Sequence, residues 1–335
     1  MSPPAPDIYE HDVDAAPDEA FGAGTLGHLA IGNRGRMLDP RRTPVTITDV
    51  DASRGMFGVR VEAFEDVGAC WQLPIEDVSH FQFERGAARL QRSDLEELER
   101  AASRFDQMIH IPVSEQARTR TLRAIEERRA LIRPELAAHP ELRTIDIDEC
   151  VRTRRGASGA AEALTSLIER AGLAQLEQSF AETYVSNPHS GEIVKGHSIV
   201  IAEMGLCPYS GRIVRDDRLF DGDGTKERRE AHVVLRLAFM QELLSQLDTP
   251  TLELYRGIAV DGPLEPQRPA SLVAATFSRD VAMSHFESPT EVAVLLRRQV
   301  PVSRLFMTFL ETVAMNERYH EAEAVLIGAP GNLAF

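Results

Sequence analysis

Cysteine is scarce. Only Cys70, Cys150 and Cys207 occur in 335 residues, odd in number, far apart and in no CxxC pair. That excludes a disulfide framework and a zinc ribbon, and it suits a reducing compartment. Long apolar runs are missing as well. The stretches 232–240 (HVVLRLAFM) and 292–298 (VAVLLRR) are broken by charge. Both fall well short of the ~20 residues that a membrane-spanning helix needs, so no membrane partner is expected. The first 20 residues, MSPPAPDIYEHDVDAAPDEA, have neither the basic nor the apolar stretch of a secretory signal. Being acidic, rich in Pro and Ala and nearly free of large apolar side chains, they are expected to be disordered. The expected location is a cytoplasm, the cell's own or that of a target cell. Lysine is almost absent: Lys195 and Lys226 account for two of the 37 basic residues, which leaves 37 − 2 = 35 arginines. Together with the many alanines this reads as genomic base bias, not as a binding face. The net charge of −15 speaks against a large duplex-binding footprint, while a local basic groove stays compatible with it.

What remains is a globular composition, 43% hydrophobic and 27% charged, in a chain long enough for about two domains. Four regions follow: a tail at 1–20, a small β-barrel or sandwich at 21–90, a helical region at 91–180 and a larger domain at 181–335. In the second region the segments 45–50 (VTITDV), 56–64 (MFGVRVEAF), 70–75 (CWQLPI) and 80–83 (HFQF) have strand character and are separated by turn-like residues. Trp71, the single tryptophan, reads as core. Ser93 to Glu96 has the capping-box pattern, and Leu95, Leu98, Ala102 and Phe105 then recur at helical intervals. Further helices are predicted over 114–132, ending before Pro134, over 161–185 and over 227–247, with 186–226 irregular. From 250 the strand signature returns at 251–260, 272–278, 293–300, 304–310 and 323–328, with one short helix at 279–286. The fold class is α+β, a carboxyl-terminal sheet covered by upstream helices.

Several motifs carry little. Gly22, Gly24 and Gly27 match GxGxxG, yet acidic coil precedes them where a dinucleotide fingerprint needs a strand. Asp221 to Gly224 lacks the other ligands of a calcium loop. His189, Glu192, His197 and Cys207 match no common metal spacing, so no metal is expected.

Three polar elements in the carboxyl-terminal strands are different. Leu254-Tyr255-Arg256-Gly257 sets an arginine near the end of an otherwise buried strand, where it can hold a pyrophosphate through charge-assisted hydrogen bonds. Thr276-Phe277-Ser278 ends the next strand with two hydroxyls, and Ala282 and Phe286 follow. Glu321-Ala322-Glu323 opens a strand on which Glu321, Glu323, Val325 and Ile327 are expected to share one face.

In this ordered combination residues 227–331 resemble the Arg–Ser–Glu class of mono-ADP-ribosyltransferases, which contains arginine-specific ectoenzymes and actin-modifying toxins. The resemblance implies an ADP-ribosyltransferase-like β-sandwich and NAD+ as co-substrate. Arg256 is similar to the family's strand arginine, with Tyr255 and Gly257 beside it. Thr276 and Ser278 resemble the family's S-T-S element, Phe286 its nicotinamide contact, and Glu321 and Glu323 its ExE signature. Thr276 replaces the first serine, which leaves open whether Thr276 or Ser278 orients the glutamate, and Ala324 replaces a larger aliphatic residue. The implied roles are Glu323 stabilising the ribosyl cation, Glu321 as general base and Arg256 on the diphosphate. The first-choice acceptor is a protein arginine, met by the loop 311–320 with Tyr319 as a contact, in a toxin or effector with a cognate immunity protein. Alternatives are a nucleic-acid acceptor, NAD glycohydrolysis, or an inactive interaction module.

Overall fold

Blocks of period two and period 3.6 alternate along the chain. In the computed structural model, which describes residues 21–39, 41–63, 67–105, 107–186, 191–215, 217–260, 271–286, 292–317 and 320–328, they build two units, Met1–Gln107 and Met108–Phe335. The tail at 1–20 lies outside the described residues.

The first unit contains β1 (Phe21–Ala23), β2 (Arg34–Met37), β3 (Pro44–Asp51), β4 (Met56–Val61), β5 (Cys70–Pro74), β6 (Phe81–Glu84) and α1 (Arg92–Phe105). Its strands form one antiparallel sheet in the order β1-β6-β2-β3-β4-β5. Val45, Ile47, Phe57, Val59, Phe81 and Phe83 stand at alternate positions of their strands and are buried together with Leu29, Ile75 and Leu98. Trp71 packs at the margin of this core. The expected barrel or sandwich is corrected here: the strands form a single sheet, of which β1 and β5 are the two edges and do not pair with each other. The apolar face has no need of closure, because Leu98 of α1 and the turn carrying Ile75 and Val78 cover it. Ser93 is not the helix cap either; α1 starts at Arg92, and the Ser93 hydroxyl donates to Asp94.

The second unit contains β7 (Met108–Ile111), α2 (Glu115–Ala137), α3 (Ile147–Thr153), α4 (Ser158–Arg170), α5 (Ala174–Ser186), α6 (Glu192–Glu203), β8 (Tyr209–Arg212), α7 (Lys226–Gln246), β9 (Thr251–Val260), β10 (Leu272–Thr276), α8 (Arg279–Ser284), β11 (Val292–Pro301), β12 (Leu305–Thr308), α9 (Ala314–Glu317) and β13 (Glu323–Ile327). The helices expected over 91–180 are thus divided, α1 in the first unit and α2 to α5 in the same unit as the carboxyl-terminal sheet. That sheet is antiparallel, in the order β11-β9-β10-β13-β12. Among the described residues, helices α4, α5 and α7 share its core, and its companion is only the two-stranded β7–β8 ribbon, which packs on α6. No helix among the described residues is long and apolar enough to cross a membrane.

Two helices depart from expectation. α2 runs through Pro134 to Ala137, because Leu136, fully buried, draws the last turn into the core. α6 lies in the stretch read as irregular. Val194, Ile199, Val200, Ile201 and Ala202 are buried around most of its circumference, which erases the amphipathic period, and Gly196 resembles a breaker. That glycine is required by packing, since a Cβ there would meet Leu219 Cδ2 at 2.9 Å and the Arg229 guanidinium carbon at 3.2 Å.

The core of this unit also holds a chain of polar groups. Arg229 donates to the carbonyls of Gly224 at 2.8 Å, Ile193 at 3.0 Å and Leu219 at 3.0 Å, and its Nη1 lies 2.6 Å from His197 Nδ1. His197 Nε2 is 3.0 Å from His232 Nδ1, and His232 Nε2 is 2.6 Å from Glu177 Oε2. Arg236 then grips Glu177 through Nε and Nη2 and reaches Glu311 at 3.0 Å and Thr312 at 3.2 Å through Nη1. A guanidinium only donates and a carboxylate only accepts, so the two imidazoles fit between them as neutral rings, each donating from Nε2. Burial pushes both histidines below their ordinary value, and furthest for His197, where His232 and Arg229 add to the effect. Two cations and two carboxylates remain, which balance.

Each neutral imidazole therefore contributes stability that is full above the ordinary value of 6.5 and is lost as the pH falls, because the unfolded chain takes up protons that the fold refuses. The ring nitrogens of His197 and His232 are expected to keep neutral-form NMR shifts as the pH falls through the unperturbed value near 6.5. Rings that titrate near 6.5 would contradict this protonation scheme.

Candidate functional site

β9, β10 and β13 lie side by side, and their register aligns one residue from each: Thr276 stands opposite Tyr255 on one side and opposite Glu323 on the other. The Thr276 hydroxyl donates to the carbonyl of Glu321 at 2.6 Å, lies 3.2 Å from that of Ala322, and accepts the Ser278 N–H at 3.0 Å. Ser278 caps α8, its hydroxyl accepting the Val281 N–H at 3.3 Å. Thr276 fixes the backbone that carries the two glutamates, and among the described residues neither hydroxyl touches a carboxylate.

The pleat does not bring Glu321 and Glu323 together. β13 begins at Glu323, and the two residues before Glu321 and Glu323, His320 and Ala322, have φ of 50° and 47°. The left-handed region is uncommon outside glycine and signals a constrained backbone. Ala322 is held there by burial, by the Phe277 N–H donating to its carbonyl at 3.0 Å and by Thr276 on the preceding peptide. This corrects the expected sharing of a strand face: a left-handed residue between the glutamates lets both line the same cleft.

That cleft has a volume of about 420 Å³ and is lined by Tyr255, Arg256, Gly257, Thr276, Ala282, His285, Glu321 and Glu323, among others. The Arg256 guanidinium donates to the Ala274 carbonyl at 3.0 Å and, among the described residues, meets no carboxylate. Burial lowers its pKa, with the Tyr184 phenol opposing. Burial pushes Glu323 up to about 7, and the neighbouring Glu321 carboxylate adds to the shift. Neither glutamate carboxylate has a hydrogen-bond partner among the described residues. Oxygen-rich anions suit Arg256, and a developing cation or a hydroxyl donor suits Glu323.

The remaining expected site residues are placed as follows. The Tyr255 hydroxyl donates to Glu253, which also pairs with Arg297 at 2.6 Å, so the phenol is engaged within the sheet. Gly257 serves packing, since a Cβ there would stand 1.9 Å from the carbonyl oxygen of Ala282 and 3.3 Å from the Phe286 ring. Phe286 thus lies beside Gly257, while His285 joins the lining. Tyr319 lies outside the described residues. Two residues were not singled out from the sequence: His285, one position before Phe286, and Tyr184 of α5, whose phenol feels the charges of both Glu323 and Arg256. Among the described residues no group of three or more His, Cys, Asp or Glu is placed to hold a metal ion. His197 belongs to the buried chain, Glu192 pairs with Lys195, and His189 lies outside the described residues.

No protein-family model, curated protein or solved structure matches this chain.

Two outcomes are expected from this geometry. Gly257→Ala, which forces a methyl against the Ala282 backbone, should cost on the order of 1–3 kcal/mol by overpacking, read as a lower denaturation midpoint. Glu323→Gln should stabilise the fold at high pH. The unfolded carboxyl ionises near 4.5, whereas the folded one keeps its proton to about 7. Stability is therefore lost as the pH rises from about 4.5 to about 7 and the loss is complete above that value, so removing the carboxylate should return up to about 3 kcal/mol at pH 8 and almost nothing near pH 4. Equal effects at both pH values would contradict the buried, unpartnered carboxylate.

Proposed function

We propose that the chain is an NAD+-dependent mono-ADP-ribosyltransferase acting on a protein arginine. The observation that supports this best is a guanidinium and a carboxylate that line one cleft without a counter-charge among the described residues: Arg256, whose one hydrogen bond goes to the Ala274 carbonyl, and the half-buried Glu323. Unpaired buried charge weakens a fold, so its presence in a cleft marks a binding role. On this reading Arg256 binds the diphosphate of NAD+, and Glu323 accepts a hydrogen bond from a ribose hydroxyl.

The chemistry then follows from charge. The ribose–nicotinamide C–N bond breaks with its electron pair going to the nicotinamide nitrogen, and positive charge develops on the sugar, as in glycoside cleavage. A carboxylate aimed at that charge acts more strongly in the transition state than in the ground state. Glu321 takes the proton from the incoming guanidinium as the new C–N bond forms, general-base work for a group whose pKa is very high. Thr276 acts from behind by holding the Glu321–Ala322 backbone.

The protein, incubated with NAD+ labelled in the adenylate and with a cell lysate, is expected to label material that disappears on protease treatment and survives nuclease. Glu323→Gln should lower labelling by roughly 10² or more. Glu321→Ala should suppress arginine labelling more than nicotinamide release. Activity should rise with pH through a limb near 7, where Glu323 ionises, and the limb should move lower in Glu321→Gln, which removes the repelling charge. Label lost to nuclease would make nucleic acid the acceptor. Nicotinamide released without label would make water the acceptor, and neither product would refute the transferase.

A further inference from the structure

α8 brings to the cleft a side chain that the proposed mechanism leaves out. His285, which follows the last residue of that helix, is exposed, lines the cleft and makes no hydrogen bond from its ring to a described residue. Its backbone is fixed. Ser278 caps the start of α8, Val281 and Ala282 are buried, and the Phe286 N–H donates to the Met283 carbonyl at 3.0 Å. Gly257, next after Arg256 on β9, admits the Ala282 carbonyl so closely that a Cβ there would stand 1.9 Å from its oxygen. The imidazole is therefore mounted on the Arg256 side of the cleft. Glu323 opens β13 and Glu321 lies just before it, and β10 separates β13 from β9.

The charges of the lining divide in the same way. Among the described lining residues, Arg256 and His285 are the groups able to carry positive charge, and Glu321 and Glu323 are the carboxylates. The diphosphate of a dinucleotide carries two negative charges, one on each phosphate, and the mechanism above sets a single guanidinium against them. The second charge would stand unmatched in a cleft that also holds two carboxylates. An imidazole in the same lining, with its ring nitrogens uncommitted to described residues, becomes a cation by taking up one proton. A neighbouring anion favours that protonated form.

We infer that His285 is the second cationic contact of this cleft, its ring donating an N–H to an oxygen of the NAD+ diphosphate beside Arg256. The inference rests on the proposed function and deepens it. Two cationic groups on the β9–α8 side draw the diphosphate away from β13, which leaves Glu323 to the ribose. Gly257 then has a part in binding through packing, because the room it makes for Ala282 sets where α8 ends and where the imidazole stands.

The full chain and its His285→Ala, His285→Arg and Arg256→Ala variants are titrated calorimetrically with NAD+, ADP-ribose, adenosine and nicotinamide. His285→Ala should bind NAD+ and ADP-ribose about tenfold more weakly and leave adenosine and nicotinamide unchanged, with an unaltered melting temperature, since the side chain is exposed. His285→Arg, which restores a cation, should regain the lost affinity. If Arg256→Ala weakens NAD+ and ADP-ribose while His285→Ala binds them as the parent does, the histidine contact is overturned and the proposed function stands. An equal loss for adenosine, or a loss that His285→Arg fails to restore, would assign the ring to the base or to shape and overturn the contact as well. A His285→Ala chain that fails to fold would do the same, by showing that the ring serves the protein. If the parent chain binds neither NAD+ nor ADP-ribose, contact and proposed function fall together.

Discussion

One buried guanidinium sets the arrangement on which the rest of the second unit depends. Arg236 lies on α7, is fully buried, and uses all three of its nitrogens: Nε and Nη2 on Glu177 of α5, and Nη1 on Glu311 and Thr312 just after β12. Desolvating such ions costs several kcal/mol each, which only good geometry and further hydrogen bonds offset. Both are present, since Glu311 also receives the Thr308 N–H and hydroxyl. Losing one partner would leave a carboxylate buried and unpaired, a change that typically costs about 3–5 kcal/mol. Through His232 and His197 the same chain continues to Arg229, so α5, α6, α7 and the segment after β12 have one admissible register. Phe180 and Tyr184 inherit their positions from it, as does the root of the loop that leads to the ExE glutamates.

The cleft is organised in the opposite way. In the interior chain each charged group is matched by hydrogen bonds; in the cleft Arg256 has only the Ala274 carbonyl, and the Glu323 carboxylate has no partner among the described residues. The backbone there is held in a sparsely populated conformation at Ala322, and burial and the hydrogen bonds from Thr276 and Phe277 keep it there. Strain and unspent polar capacity weaken a fold, and they persist where the surroundings over-determine them and a ligand can use them.

Much of this was legible along the chain. The strands near 251–260, 272–276, 292–301 and 323–327 and the short helix after Ser278 stand where periodicity and turn residues indicated, because both signals are local. The neighbourhood of Arg256, Thr276, Glu321 and Glu323 was legible as a set, since charged and hydroxyl side chains are conspicuous in apolar strands. Their mechanical roles were not. Spacing alone suggested that the glutamates shared a strand face, whereas a left-handed Ala322 brings them together; Ser278 looked like an orienting hydroxyl and caps a helix; Gly257 looked like part of a binding motif and makes room for the Ala282 carbonyl. α6 was hidden because a helix buried on most sides has no amphipathic period to display. The single open sheet of the first unit differs from the expected barrel or sandwich because alternation reports which face is buried, never whether the edges meet or what covers the face.

By itself, the sequence determined which segments become strands and helices and which polar residues sit in apolar surroundings, since both follow from interactions among near neighbours. Only the tertiary structure decided that Tyr255, Thr276 and Glu323 stand abreast, that Glu323 is pushed towards neutrality by burial and by Glu321, and that Arg256 lines the same cleft as both glutamates. Register and burial arise from contacts between residues distant in the chain, and no local pattern encodes them.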